Sequence, residues 1–381
     1  MEVHQLVHTL NYGDAISGEA LAIQRMLRAE GIGGSIISIH AHEKVRDKVV
    51  RWAGSAADRQ RLEALSRKDA VILHYSIASP LNDLYRGLQQ TTRAIIYHNL
   101  TPTRWFRGYN DRVVRDLEKG IAELPELVRD SDIVLADSTF NLQELQSRGA
   151  TGGSVLPLML DEEKWAAERP NEGIRALLSG NDDVHWLHVG RLAPNKCIED
   201  IIRAFYFYHH KINRRSRLWL VGIDIDTELY AFELRRLISR LQLREAVSFV
   251  GAVADCELRA FYENCSLYMC MSEHEGFCLP LLEAMHFGLP VVAFNACAVG
   301  ETVGDGGVLV EDKQPAELAE LANAILTNGE IKHELIERGK QRARAFGGEH
   351  FRSIFRERVL SALMRADEPQ HPEATNAHRW A

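Results

Sequence analysis

The chain lacks any run of about 18 apolar residues or more, and no charged segment followed by an apolar one opens it. Neither a membrane span nor a secretory leader is supported, so the expectation is a cytoplasmic protein. It also lacks a basic excess. Residues 1–160 hold 19 Lys and Arg against 19 Asp and Glu, the remainder 26 against 34, and the net charge is −8. That is not the electrostatic footprint of a nucleic-acid binder. The six cysteines, at 197, 256, 265, 270, 278 and 297, form no C-x-x-C pair. Buried free thiols in a reducing compartment are expected, rather than disulfides or a zinc site. There is no short-period repeat and no low-complexity stretch, and the polar tail 367–381 is expected to be loose.

With 381 residues, 46% of them hydrophobic and 26% charged, the chain can bury more than one core. Two domains are the expectation. Apolar runs at Val3–Leu10, Ser35–Ile39, Ala70–His74, Ala94–Tyr97, Ile133–Ala136 and Ser154–Leu156 alternate with helix-length segments. A second series follows at Val184–Val189, Leu218–Val221, Val247–Val250, Tyr268–Met271, Val291–Phe294 and Val308–Val310. Such alternation predicts an α/β fold with two doubly wound parallel sheets. Between the series lies DEEKWAAERPNEG, followed by SGNDD, which has the composition of a connection. The predicted organisation is 1–160 as a first domain, 161–183 as linker, 184–348 as a second domain, 349–365 as a C-terminal helix and 366–381 as tail.

The most informative stretch is SEHEGFCLPLLEAMHFGLPVVAF, from Ser272 to Phe294. Pro280–Phe287 has the apolar spacing of a short helix, with Pro in its first turn, Gly288 past its end and Pro290 as a stop. Strand, loop, helix, strand in a parallel sheet sets the loop at the carboxyl edge, against the free amides of the helix N-terminus. That is an anion site. Glu275 and Glu283 flank it. Since a carboxylate would repel a diphosphate, their work is to accept hydrogen bonds from sugar or ribose hydroxyls, unless they are a solvated loop residue and a helix-dipole partner.

Further positions repeat the pattern. After the first strand, Gly13 permits a tight turn into a helix for which Ser17 is a plausible N-cap, a place where ligands approach backbone. His98 ends the fourth strand at the carboxyl edge; a packed histidine is its plainer reading. The second series opens with Gly190-Arg191-Leu192-Ala193-Pro194-Asn195-Lys196 before a helix from Ile198. Two cations, Arg191 and Lys196, beside free amides suit a diphosphate. Asp224-Ile225-Asp226 invites a metal-binding reading, but its place between a strand end and a helix favours turn and capping roles. No metal or other cofactor is expected.

The string Glu275-Gly276-Phe277-Cys278-Leu279-Pro280 with Glu283, together with Gly190-Arg191 and Lys196, resembles the retaining glycosyltransferases of family 4. It departs at Cys278 and Cys197, where that family usually has glycine. The resemblance implies a GT-B enzyme, two Rossmann-like domains facing across a cleft, with the donor held by the second. It implies hexosyl transfer from a nucleoside-diphosphate sugar, UDP- or GDP-linked, to an acceptor hydroxyl with retention and without metal. In that scheme Arg191 and Lys196 stabilise the diphosphate, Glu275 holds the sugar, Glu283 the ribose, and His98 reaches the sugar from the first domain. Gly13, Gly276, Phe277, Cys278 and Leu279 complete the donor cradle. The resembled proteins work mostly in bacterial polysaccharide and glycolipid assembly, which implies a sugar, glycan or lipid-linked acceptor and peripheral contact with the inner membrane face. Two rivals stand beside this reading: a phosphorylase-like enzyme, and a non-catalytic nucleotide-sugar binding module in which Cys197 and Cys278 spoil the donor loops.

Overall fold

The computed structural model describes residues 1–56, 58, 60, 68–180 and 182–366. The expected loose tail lies outside these residues. Among the described residues, thirteen strands form two all-parallel sheets. The first contains β1 (Val3–Leu10), β2 (Ile36–Ala41), β3 (Val49–Arg51), β4 (Ala70–Tyr75), β5 (Thr92–Tyr97), β6 (Ile133–Ala136) and β7 (Ser154–Val155), in the order β3-β2-β1-β4-β5-β6-β7. The second contains β8 (Val184–Val189), β9 (Ser216–Val221), β10 (Val247–Gly251), β11 (Leu267–Cys270), β12 (Val291–Phe294) and β13 (Val308–Val310), in the order β10-β9-β8-β11-β12-β13. Strand order reverses beside β1 in one sheet and beside β8 in the other. In such folds ligands bind outside the carboxyl ends of the strands near that reversal.

Strands buried on both faces read as continuous apolar runs, and that is why β4 and β11 are buried along their whole length. Helices cover both faces. The long helix Asp111–Arg129 buries Val113, Leu117, Leu124 and Leu127 on one stripe. Asn110 caps it by accepting from the amides of Arg112 and Val113, as short polar residues do at helix starts.

Residues 161–183 contain two short helices, Glu162–Ala167 and Glu172–Ser179. Trp165 packs edge-on against Tyr262 and Phe287 of the second half. At the other end, Phe351, Phe355, Val359 and Leu363 bury against Val3, Ile23, Ile72 and Ile96, so the chain's last helical stretch returns to the first sheet. Among the described residues no helix is long and apolar enough to cross a membrane.

Candidate active site

The second sheet offers two loops at its carboxyl edge. β8 leaves through Gly190 (φ +155°), then a turn at Pro194–Lys196 and Cys197 at φ +48° lead into the helix Ile198–Phe207. β11 leaves through residues 271–277, and Cys278 at φ +75° opens the helix Leu279–His286. Both cysteines therefore hold left-handed backbone, which costs an L-residue roughly 1–2 kcal/mol and which glycine adopts freely. No side chain caps the helix Leu279–His286, so its first amides keep their capacity for an anion. Gly222 of the neighbouring loop is required by space: a Cβ there would stand 1.9 Å from the carbonyl oxygen of Gly190.

The two loops are stitched together. The amide of Glu273 donates to the Asn195 carbonyl at 2.9 Å, and Asn195 Nδ2 donates to the His274 carbonyl at 3.0 Å. Lys196 Nζ then reaches both carboxylate oxygens of Glu275, at 2.6 and 2.8 Å. Burial pushes the Glu275 carboxyl up, but Lys196 outweighs it and holds the pKa below the usual carboxylate value. The converse holds for Lys196. Burial opposes its charge, and Glu275 more than compensates, so its pKa is raised. The sequence sets these residues on two separate loops of the second half without pairing them.

Glu283 accepts from Tyr262 Oη at 2.8 Å, and burial raises its carboxyl. Phe277 is buried against Phe346, with ring centroids 5.5 Å apart. Its side chain therefore supports the loop from the core. Leu279 likewise packs on that core. Arg191 donates to the Ile225 carbonyl at 2.9 Å and lies 5.9 Å over the Phe106 ring. Asp224 pairs with Arg235 at 3.3 Å and Asp226 with Arg112, so both aspartates face arginine.

On the facing edge of the first sheet, Gly13 takes φ +81° with open space around a would-be Cβ. The N-cap of the helix Ala15–Ala29 is Asp14, which accepts from the Ile16 amide. This corrects the expectation of Ser17, whose hydroxyl instead donates to Asp14 and accepts from the Asn11 amide at 2.8 Å. The His98 side chain is 1% exposed. Its Nδ1 lies 2.9 Å from Asp137 Oδ2 and its Nε2 lies 3.0 Å from His74 Nδ1, so neither ring nitrogen is open to a ligand in this conformation. Burial lowers the pKa of both histidines and raises those of Asp137 and Glu19.

The halves meet at this point. His274 Nε2 donates to Asn99 Oδ1 at 2.6 Å, and Asn99 Nδ2 donates to Asn141 Oδ1 at 2.8 Å. A Cβ on Gly276 would stand 2.7 Å from Asn99 Cβ and 2.9 Å from the His98 carbonyl oxygen. Glu301 accepts from the Thr139 amide at 2.9 Å. Asn99, His274, Asn195 and Glu301 thus tie the site together. The sequence assigns none of these four a role, because cross-domain partners carry no local pattern.

The family described as glycosyl transferases group 1 matches residues 172–342, the segment that carries both loops. This chain carries a group 1 glycosyltransferase domain. An uncharacterised glycosyltransferase of Haemophilus influenzae is 29% identical over 365 residues, 89% of this chain and 94% of that protein. The O-antigen chain mannosyltransferase B of Escherichia coli is 31% identical over 127 residues, 33% of this chain, and the match spans only about a third (32%) of that relative's length. Among solved structures, the Anabaena protein HepE in complex with UDP-glucose superposes with a TM-score of 0.74 at 17% identity, over 95% of this chain and 100% of that one. The chain thus has the GT-B architecture, two parallel-sheet halves joined at the edge where its loops converge.

Proposed function

We propose that this glycosyltransferase moves a hexosyl group from a UDP- or GDP-sugar to an acceptor hydroxyl, with the anomeric configuration retained. The acceptor is a sugar, glycan or lipid-linked glycan of a bacterial polysaccharide or glycolipid. The observation that carries this reading is the convergence of Lys196 and Glu275 beside an uncapped helix start, with Arg191 on the loop that carries Lys196.

The diphosphate gains negative charge as the glycosidic bond breaks. Fixed cations and helix amides aimed at that charge lower the barrier without reorganising. Arg191 supplies a planar fork, Lys196 a compact charge and the amides before Glu283 the third element. Lys196 is held in place by Glu275 beforehand, so it needs no search for its position. Glu275 keeps its second task, accepting from a donor sugar hydroxyl, and Glu283 accepts from the ribose. No divalent ion is needed at the diphosphate, and Asp224 and Asp226 serve their arginines instead. His98 acts through position, by fixing the peptide at 98–99 that receives the Gly276 loop, and the sugar contact expected of its ring is not part of this proposal. Gly13 leaves backbone open toward the cleft. The enzyme works in the cytoplasm, and a lipid-linked acceptor would bring it to the inner membrane face.

The test is nucleotide release from UDP- and GDP-hexoses, with and without glycan and lipid-linked acceptors, and the anomeric configuration of the product by NMR. Acceptor-dependent release with a retained product supports the reading. Saturable nucleotide binding without release from any donor would make the protein a binding module, and an inverted product would remove the retaining route.

A further inference from the structure

Three loops at the carboxyl edge of the second sheet turn on a cysteine in left-handed backbone: Cys197 at φ +48°, Cys278 at +75° and Cys297 at +53°. Glycine takes that conformation freely, whereas each of these thiols is kept at a cost of roughly 1–2 kcal/mol. Such outliers point to a use for the side chain. Cys278 has the clearest one. It opens the helix Leu279–His286, and its sulfur lies within 4.8 Å of the sulfur of Cys270, the last residue of β11. Cys270 is fully buried and Cys278 half-buried. The residues between them, 271–277, are the loop that carries Glu275.

The surroundings of this pair are polar and charged. Cys270 Sγ lies 3.3 Å from Ser272 Oγ, and the Lys196 ammonium feels both sulfurs. The neighbouring Cys278 thiol draws the pKa of Cys270 below the usual thiol value, while the same contact, together with burial, pushes Cys278 up. One sulfur carries charge more readily because the other keeps its proton, which is how paired thiols become reactive. Burial raises the thiols of Cys197, Cys265 and Cys297, as it does for inert cysteines. A disulfide needs its sulfurs about 2.05 Å apart. From inside 4.8 Å the gap closes by side-chain rotation and a small shift of the helix start, which no side chain caps.

We propose that Cys270 and Cys278 form a redox-active dithiol, which a peroxide oxidises to a disulfide spanning the Glu275 loop. In the first step the Cys278 sulfur, nearer the surface, attacks one peroxide oxygen: an S–O bond forms, the O–O bond breaks, and the leaving hydroxide takes the thiol proton and departs as water. In the second step the Cys270 sulfur attacks the sulfenic sulfur of Cys278: an S–S bond forms, the S–O bond breaks, and a second water leaves with the Cys270 proton. Two thiols give two electrons to one peroxide. The bridge draws the helix start toward β11 and removes the Cys270 contact with Ser272, and the loop that sets Glu275 against Lys196 moves with it. On the donor reading above, on which this consequence rests, the oxidised protein holds nucleotide more weakly. Thiol–disulfide exchange with a small dithiol restores the pair.

The experiment treats the folded full-length chain with hydrogen peroxide, blocks the remaining thiols with an alkylating agent, and reads intact mass and peptide map by mass spectrometry. The expected result is the loss of two hydrogens, a linked pair of peptides carrying Cys270 and Cys278, and full return on dithiothreitol. In Cys270→Ser the bridge cannot close, so Cys278 should instead be trapped as a sulfenic acid by dimedone. Calorimetric titration with UDP and with GDP, before and after oxidation, should show a loss of affinity of about tenfold or more in the wild type and none in Cys278→Gly. Melting curves confirm that each variant is folded. Wild-type protein in which both thiols stay free, or in which a bridge joins a different pair of cysteines, would overturn the proposal. A Cys270–Cys278 bridge with unchanged affinity would overturn its hold on the donor site. Reduced protein that binds neither nucleotide would sink the donor reading instead, and the peptide map would still decide the dithiol.

Discussion

Removing Lys196 should reverse the pH dependence of the site's stability. The pair with Glu275 is largely out of water, with side-chain exposures of 20% and 8%. In the wild-type protein Glu275 has a depressed pKa, so its contribution is present above the unfolded value of about 4.3 and is lost only as pH falls through the lower folded value. Between pH 5 and 8 this group contributes no slope. In Lys196→Ala only burial remains as the main influence, and it raises the carboxyl. Folding then requires a carboxylate to be buried unpaired or protonated. Protonation at pH 7 costs about 1.36 kcal/mol for each of roughly 2.7 units, or about 3.7 kcal/mol, which caps the penalty near the 3–5 kcal/mol seen when one partner of a buried pair is removed. At pH 5 the same step costs about 1 kcal/mol. At 2–4 °C per kcal/mol for a folding unit of 150–250 residues, the melting deficit should be roughly 7–15 °C at pH 7 and a few degrees at pH 5. Lys196→Ala/Glu275→Gln should recover most of it, because no charge is left unpaired. Melting curves of wild type, both single variants and the double variant at pH 5, 6, 7 and 8 decide the matter. A deficit that is equal at pH 5 and pH 7, or a double variant no better than Lys196→Ala, would refute the reasoning.

Arg191→Ala should lower turnover at saturating donor by on the order of 100-fold, as expected for a charge that meets the leaving group, while melting stays near wild type; a normal rate would remove Arg191 from the site. In Cys278→Gly the relief of left-handed backbone, about 1–2 kcal/mol, is offset by a more flexible unfolded chain, so stability in a denaturant titration should shift by no more than about 1 kcal/mol, and a loss above about 2 would show that the thiol itself holds the loop. Gly276→Ala meets no backbone strain but collides with Asn99 and the His98 carbonyl. Nucleotide affinity by calorimetry should persist while transfer drops at least tenfold, and unchanged transfer would mean that the loop and Asn99 need not touch.

The sheets were legible because their strands are buried on both faces, and continuous apolar runs such as Ala70–Tyr75 and Val291–Phe294 have few other readings. The helix Leu279–His286 was legible from Pro280 and Gly288, residues whose backbone restrictions are local. β3, three residues of an edge strand, has no period to detect. Asp14 and Ser17 are both competent caps by composition, and only the geometry of the turn selects the carboxylate that reaches Ile16. His98 could be set at a strand end, but its direction depends on His74 and Asp137, 24 and 39 residues away. Lys196 and Glu275 are 79 residues apart. Local chemistry writes elements into a sequence; pairings across loops of that length leave no mark in it.

Three of the attachments of the loop from Ser272 to Cys278 bear on how the proposed donor and acceptor would be brought together. Asn195 holds it to the phosphate-side turn, Lys196 holds its carboxylate, and Asn99 meets it from the other half of the molecule. A sugar accepted by Glu275 would therefore sit on the same few residues that make the contact between the halves. Any ligand that stiffens the loop lowers the conformational cost of that contact, and any contact that fixes the loop lowers the cost of binding the ligand, because the coupling between two equilibria is reciprocal. The absence of a side chain at Gly276 lets the backbone of one half lie directly on the backbone of the other. The contact between the halves rests there on that close approach and on polar links that include His274 to Asn99 and Glu301 to Thr139, with Tyr12 to Asp255 and Asn110 to Asp226 further out.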